Sequence, residues 1–377
     1  MSAASRPNGS TREDATVDVA VMIPNFFGGG AERMMVRIAR GLRERGHSIE
    51  MVVCSDVGPF GKELGPDVPI IDLKSVQMRR SVGPIVRYLR QRRPLAVLVT
   101  LEHMTVTVLL ASILARVRVR VVPRIATHLS ACKRFGIRGM VQGVATRFLL
   151  RRADNLIAVS RGVAEDVIGW ARVAPDKVHT IYSPFVDSEL EFLAGQGAAH
   201  PFFSRADPCV VLAAGRLESV KDYPTLLEAF ARVHSKRSPR LIILGEGPER
   251  NNLERLIRHH GLGDKVSLPG FVSNPFSYMA RAAVFVLTST REGLPGVLVQ
   301  AMACGCPVVS TDCPSGPREI LEGGRFGALV PVGDAEALAK AIELTIEAPR
   351  APDLLRRRAQ EFSAEVSIAR HEIVLGL

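Results

Sequence analysis

Long apolar runs are missing from this chain of 377 residues: the longest nearly apolar stretch, Met104 to Ala115, is too short to cross a bilayer. A secretory leader is missing too, since Met1 to Asp18 is polar, carries both charges and has no apolar core; a disordered tail is expected over residues 1–16. Cysteine is sparse. The six, at 54, 132, 209, 304, 306 and 313, have neither disulfide nor zinc spacing, which fits a reducing cytoplasm and leaves Cys304 and Cys306 to core packing at a helix end. Acids are nearly absent from one region, because Arg79 to Arg152 holds sixteen Lys or Arg and a single acid, Glu102. The formal charge of +11 is therefore concentrated in the first half. Charge alone admits nucleic acid, anionic lipid headgroups or a phosphorylated substrate. Aromatics are only 5% and form no interleaved platform, which removes the support that nucleic acid would need as a partner. The spaced glycines and later acid of a dinucleotide fingerprint are lacking, as is any Asp-x-Asp metal motif, so no cofactor and no metal are expected.

What is present is a globular composition, 47% apolar and 23% charged, long enough for two domains. Strand-like runs occur at Val17 to Ile23, Ser48 to Val53, Val68 to Leu73, Leu95 to Leu101, Val119 to Arg124, Asn155 to Ser160 and Val178 to Tyr182. A second series occupies Cys209 to Ala214, Leu241 to Leu244, Val266 to Leu268, Ala283 to Leu287 and Val308 to Ser310. Helical patterns separate them, as in Ala31 to Arg45, where Met34, Met35, Ile38, Ala39 and Leu42 share one face. Strands alternating with helices predict α/β domains with doubly wound parallel sheets. The first domain is expected over residues 17–190, an irregular linker over 191–207 and the second domain over 208–361, with Ala335 to Glu347 as its final helix. A tail helix follows over 362–377.

Chemistry concentrates in Ser289 to Gly305. A strand, a tight turn and a helix start are placed together there, and Gly293, Pro295 and Gly296 let the backbone turn sharply against a ligand. Free amides at the helix start, between Gly293 and Val297, suit phosphate, those of Gly293, Leu294, Gly296 and Val297 as donors and Pro295 as part of the turn without an N–H. Glu292 stands at the entrance and Gln300 inside the helix, an arrangement that suits a nucleotide-sugar. At the end of the Cys209 to Ala214 strand, Arg216 and Lys221 can neutralise a diphosphate, the arginine as a fork of donors and the lysine as a point charge. His128 follows the strand ending at Arg124, at the carboxyl edge where such sheets bind ligands; a solvated bystander is the alternative. Lys133 to Arg152 sets Phe135, Met140, Val144, Phe148 and Leu149 among Arg138, Arg147, Arg151 and Arg152, either as a membrane-surface helix or as a core helix with charges outside.

The Ser289 to Gly305 stretch resembles the donor-site signature of retaining glycosyltransferases of family four, a Glu, seven residues, a second Glu, then Ala-Met-Ala. Gln300 stands here at the second Glu. The resemblance extends through Gly215-Arg216-Leu217 and Lys221-Asp222, through Pro307 to Asp312, Ser315 to Glu319 and Val330 to Asp334. It implies the GT-B fold, two Rossmann-like domains facing a deep cleft, the first binding the acceptor and the second the donor, with the tail helix crossing back to the first. It further implies that Gly29 and Gly30 lie near the donor phosphates, that Arg216 and Lys221 hold the diphosphate and that Glu292 fixes the sugar ring. His128 would help hold the transferring sugar, and the Gly270 to Phe276 loop would meet the nucleotide base. The implied reaction is metal-independent transfer of a sugar from a nucleotide-diphosphate-sugar to a saccharide or polyprenyl-diphosphate-linked acceptor, with configuration retained, in polysaccharide assembly. A basic first domain suits an anionic membrane surface, which implies a cytoplasmic enzyme peripheral on the inner face of the plasma membrane. A GT-B nucleotide-sugar epimerase and a non-catalytic GT-B scaffold are the alternative functions.

Overall fold

The computed structural model describes residues 16–27, 29–75, 80–132, 136–204 and 209–377, with backbone alone for 136–138. Gly28, Arg79, Lys133, Phe135, the 1–15 part of the expected tail and residues 205–208 at the expected domain junction lie outside the described residues.

Thirteen strands are formed among the described residues. The first sheet comprises β1 (Val19–Ile23), β2 (Ile49–Val53), β3 (Ile70–Asp72), β4 (Ala96–Thr100), β5 (Arg120–Ile125), β6 (Leu156–Ala158) and β7 (Val178–Thr180), in the order β3-β2-β1-β4-β5-β6-β7. The second comprises β8 (Val210–Ala214), β9 (Arg240–Leu244), β10 (Val266–Gly270), β11 (Val284–Leu287), β12 (Val308–Thr311) and β13 (Ala328–Val330), in the order β10-β9-β8-β11-β12-β13. Pairing is parallel, with Val21 opposite Met51 and Leu98, and Val211 opposite Leu241 and Val284. Every residue of β1, β4 and β8 is buried, because helices cover both faces of such a sheet and leave no side to water. That is why these strands read as unbroken apolar runs. The exception is Glu50 in β2, whose carboxylate is buried yet accepts from Tyr88 Oη at 2.7 Å and pairs with Arg92, so its charge is met.

The chain falls into two compact units, one of Met1–Pro123, Arg152–Asp154 and Leu375–Leu377, the other of Arg124–Arg151 and Asn155–Val374. A helix, Ser188–Ala194, runs into the stretch expected to be irregular, started by the Asp187 carboxylate, which accepts from Leu190 N at 2.9 Å. Ala335–Glu347 is not the last helix of its series either: Pro352–Ala359 follows it, opened by a proline in its first turn, where the missing amide costs nothing. A closing helix occupies Ala364–Leu375. Just before it, Phe362 O accepts from Phe185 N at 3.1 Å, and Val186 bridges Ser363 in parallel, so the chain's end is stitched to the segment after β7.

Candidate functional site

In the second sheet the strand order reverses between β8 and β11, and the carboxyl ends of the two strands flank the crevice where open α/β sheets bind ligands. Gly215 and Arg216 leave β8 and lead into a short turn, Ser219–Lys221; β11 leads through Thr288 to Pro295 into the helix Gly296–Ala303. The two connections are tied together. Thr288 Oγ1 donates to Lys221 O at 2.7 Å, and Thr290 N to Val220 O at 2.9 Å. This delivers Lys221 Nζ to Glu292 Oε1 at 2.6 Å, an oxygen that also accepts from Ser289 Oγ at 2.6 Å. Both bonds fall on Oε1. The Glu292 charge is felt nearby: burial, then Glu292, pushes the Cys313 thiol up to about 12, and the same two causes raise the Tyr223 phenol. Arg216 stands apart from this pair, its side chain 57% exposed and bonded to Glu218 at 2.8 Å.

Gly293 and Gly296 are required by close approach. A Cβ on Gly293 would stand 2.0 Å from the Ala126 carbonyl oxygen, and one on Gly296 would stand 2.4 Å from the Phe185 ring. Pro295 is buried, and Leu294, Gly296, Val297 and Gln300 are half-buried, while Leu298, Val299, Ala301 and Met302 face the core. Gln300 therefore shares the outer face of the helix with the first-turn amides of Gly296 and Val297, which have no partner within the helix by its geometry. The ring-bearing loop after β10 presents Phe271, 79% exposed. Cys304 and Cys306 are buried as expected, burial lifting Cys304 to about 12, and Cys306 Sγ is directed at Ala282 O.

The same unit brings the ends of β5 and β6 to the Thr288 to Pro295 loop and to Ser315, through partners that the sequence reading did not specify. Ser160 caps the helix Arg161–Ala171 and donates its hydroxyl to Gly293 O at 2.9 Å. His128 Nε2 is hydrogen-bonded to Ser315 Oγ, and its Nδ1 lies 3.8 Å from Asp166 Oδ1. Asp166 Oδ2 accepts from Leu129 N at 2.6 Å and Ser130 N at 3.2 Å, anchoring the loop that carries the imidazole. Glu319 accepts from Arg161 N at 2.9 Å and Tyr182 Oη at 2.7 Å, and burial with that bond pushes the tyrosine up to about 12. Beside these groups opens a cavity of about 640 Å³ lined by Arg161, Tyr182, Ser315, Arg318, Glu319 and Arg358. A cavity of about 700 Å³ lined by Phe230, Lys236 and Arg240 sits where β9 begins, at the amino ends of the strands and away from the ligand-binding edge. The only advance signal for the added residues was Ser160 as a helix cap. Asp166 had none, and Ser315 was marked only as the start of the Ser315 to Glu319 block, because they lie 38 and 187 positions from His128 in sequence.

Gly29 and Gly30 belong to the first unit, at the start of the helix Gly30–Glu44. The Gly29 amide already donates to Glu32 Oε2 at 3.2 Å, which lowers its availability to a phosphate.

Residues 28–189 match the family model described as Glycosyltransferase Family 4, and residues 200–362 match the one described as Glycosyl transferases group 1. The chain is 34% identical over 230 residues to the N-acetylgalactosamine-N,N'-diacetylbacillosaminyl-diphospho-undecaprenol 4-alpha-N-acetylgalactosaminyltransferase of Campylobacter jejuni, a stretch covering 59% of this chain and 60% of that protein. It is 32% identical over 220 residues to the lipopolysaccharide core biosynthesis glycosyltransferase LpsE of Rhizobium meliloti, covering 58% and 60%. The chain thus spans about three-fifths of the length of these relatives. Its fold is similar to that of Anabaena Alr3699/HepE, solved in complex with UDP, with a TM-score of 0.79 and 22% identity over 96% of this chain and 100% of that one.

Proposed function

We propose, since this chain belongs to glycosyltransferase family four and has the GT-B fold, that it moves one sugar from a nucleotide-diphosphate-sugar to a hydroxyl of a saccharide or polyprenyl-diphosphate-linked saccharide, with configuration retained. The observation that carries this reading is the convergence, at one switch point, of Lys221 and Glu292 in a 2.6 Å pair with the amides of Gly296 and Val297. The bond between the anomeric carbon and the donor phosphate oxygen breaks, the acceptor oxygen bonds to that carbon, and the acceptor's proton passes to the departing phosphate. Charge then accumulates on the leaving diphosphate, which Lys221, Arg216 and the helix amides neutralise; donors preorganised for such charge need little reorientation during reaction. Glu292 fixes the sugar ring and His128 holds it from the β5 side. The second domain takes the donor and the first the acceptor, and the enzyme works without a metal. The relatives' names speak of a diphospho-undecaprenol acceptor and of lipopolysaccharide core, and a lipid-linked acceptor in cell-surface polysaccharide assembly is the corresponding proposal here. It implies a cytoplasmic enzyme working at an anionic membrane surface, in keeping with the basic first half.

A nucleotide-sugar panel read by isothermal titration, on the natural protein and on Gln300→Glu, tests the donor half of the reading. Gln keeps one acceptor oxygen for the ribose hydroxyls but lacks charge assistance, and charged hydrogen bonds are roughly twice as strong as neutral ones. The natural protein should bind its donor, and Gln300→Glu should bind it more tightly. Binding that appears only in Gln300→Glu would favour a degenerate scaffold. Release of nucleoside diphosphate only when acceptor is added separates a transferase from an epimerase.

Asp166 acts through His128 in this scheme. Asp166→Ala removes the acceptor of the Leu129 and Ser130 amides and should lower turnover by about 10- to 100-fold, as loss of an orienting partner does elsewhere. Asp166→Asn keeps a carbonyl oxygen for those amides and should retain most activity with an unchanged donor KM. Equal losses in both variants would assign the effect to charge and not to loop anchoring.

A further inference from the structure

The helix Gly136–Leu150 is turned opposite to an ordinary packed helix. Met140, Val141, Val144 and Phe148 are 64%, 60%, 62% and 55% exposed, while Gly143, Thr146, Leu149 and Leu150 face inward. At 100° per residue the four exposed apolar side chains lie within an arc of about 100°. The core-helix reading of this segment is thereby corrected: among the side chains it invoked, Leu149 packs inside and Met140, Val144 and Phe148 do not. No Asp or Glu occurs on the helix. Arginines gather toward its end: Arg147 lies over the Trp170 ring at 4.6 Å, Arg151 Nε donates to Ala171 O at 2.8 Å, and Arg172 follows that carbonyl, exposed.

We infer that this face is a membrane-insertion surface, on which Met140, Val141, Val144 and Phe148 enter the headgroup–acyl boundary of an anionic bilayer while Arg147, Arg151 and Arg172 meet its phosphates. It rests on the proposal that the enzyme works at an anionic membrane surface and adds the element, the depth and the nature of the contact. A stripe of this width with cations beside it is the pattern of a helix lying in the interface plane, its apolar side sunk about 5–10 Å. A second copy of the chain is disfavoured as the occupant, because a self-complementary contact here would bring like charges of Arg147, Arg151 and Arg172 together across a dehydrated interface. Trp170 is the single tryptophan of the chain and stands beside this helix, so it reports the event without a label.

The experiment uses the full chain with vesicles of phosphatidylcholine, with and without phosphatidylglycerol, at low salt and at about 1 M salt, where the Debye length shrinks to about 3 Å. Binding should require phosphatidylglycerol, yet a fraction should persist at high salt, and acyl-brominated lipid should quench Trp170. Met140→Gln/Val144→Gln, with unchanged circular dichroism, should lose the salt-resistant fraction and weaken partitioning at least about tenfold, since burying one such side chain is worth more than that factor. Full release by salt, with natural and variant proteins alike, overturns the insertion and leaves electrostatic association standing. Absence of binding to any vesicle overturns both. A dimer in ultracentrifugation that the double variant abolishes identifies the stripe as a self-association surface and overturns the inference.

Discussion

Lys221→Ala and Arg216→Ala should each lower turnover by about 10²- to 10³-fold, the usual effect of removing one donor that stabilises developing charge, measured as nucleoside diphosphate released in the presence of acceptor. Their stabilities should differ. Among the described residues Arg216 is bonded to nearby Glu218 in an exposed pair, and such pairs contribute about 0–1 kcal/mol, so Arg216→Ala should melt with the natural protein. Lys221 and Glu292 are 21% and 14% exposed, and removing the lysine leaves a half-buried carboxylate that still accepts from Ser289 Oγ. Lys221→Ala should therefore also lose melting temperature, and Lys221→Ala/Glu292→Gln should recover part of it without recovering activity, because the second substitution removes the stranded charge and not the lost cation. Wild-type turnover in both single variants would place the diphosphate elsewhere.

Gly293→Ala should cost at least about a hundredfold in kcat/KM. The new methyl carbon would meet the Ala126 carbonyl oxygen at 2.0 Å, a backbone atom held by β5 just upstream, so the donor loop must retreat. Misplacement of a catalytic segment by about 1 Å is enough for a loss of that size. The same displacement strains the Ser160 Oγ bond to Gly293 O, so overpacking should also destabilise the protein by roughly 1–3 kcal/mol. Gly169→Ala is the control: it sits in the helix Arg161–Ala171 with nothing within 4 Å of a new Cβ, and gains roughly 1 kcal/mol of helix propensity. Steady-state kinetics with thermal unfolding of both variants checks the pair. Full activity in Gly293→Ala would mean that the loop does not need its present path.

By itself the sequence determined the α/β class, every described strand but β13 (Ala328–Val330), and the strand, turn and helix start of the Ser289 to Gly305 stretch. Strands such as Val210–Ala214 are legible because burial on both sheet faces demands an unbroken apolar run. The loop is legible because its shape is set by local backbone: Gly293, Pro295, Gly296 and the helix start stand at fixed spacing within one segment. The helix Ser188–Ala194 escaped because seven residues with one buried position give little periodicity to read. Tertiary structure alone decided the rest. It paired Lys221 with Glu292 across 71 positions, His128 with Ser315 across 187 and Ser160 with Gly293 across 133, none of which leaves a pattern within one segment. It also chose which side of the helix Gly136–Leu150 faces water. Periodicity fixes that a helix has an apolar stripe, but only the packing of Gly143, Thr146 and Leu149 against the rest of the unit fixes where that stripe points, because side chains on opposite helix faces compete for one interior and the fit is settled by neighbours distant in the chain.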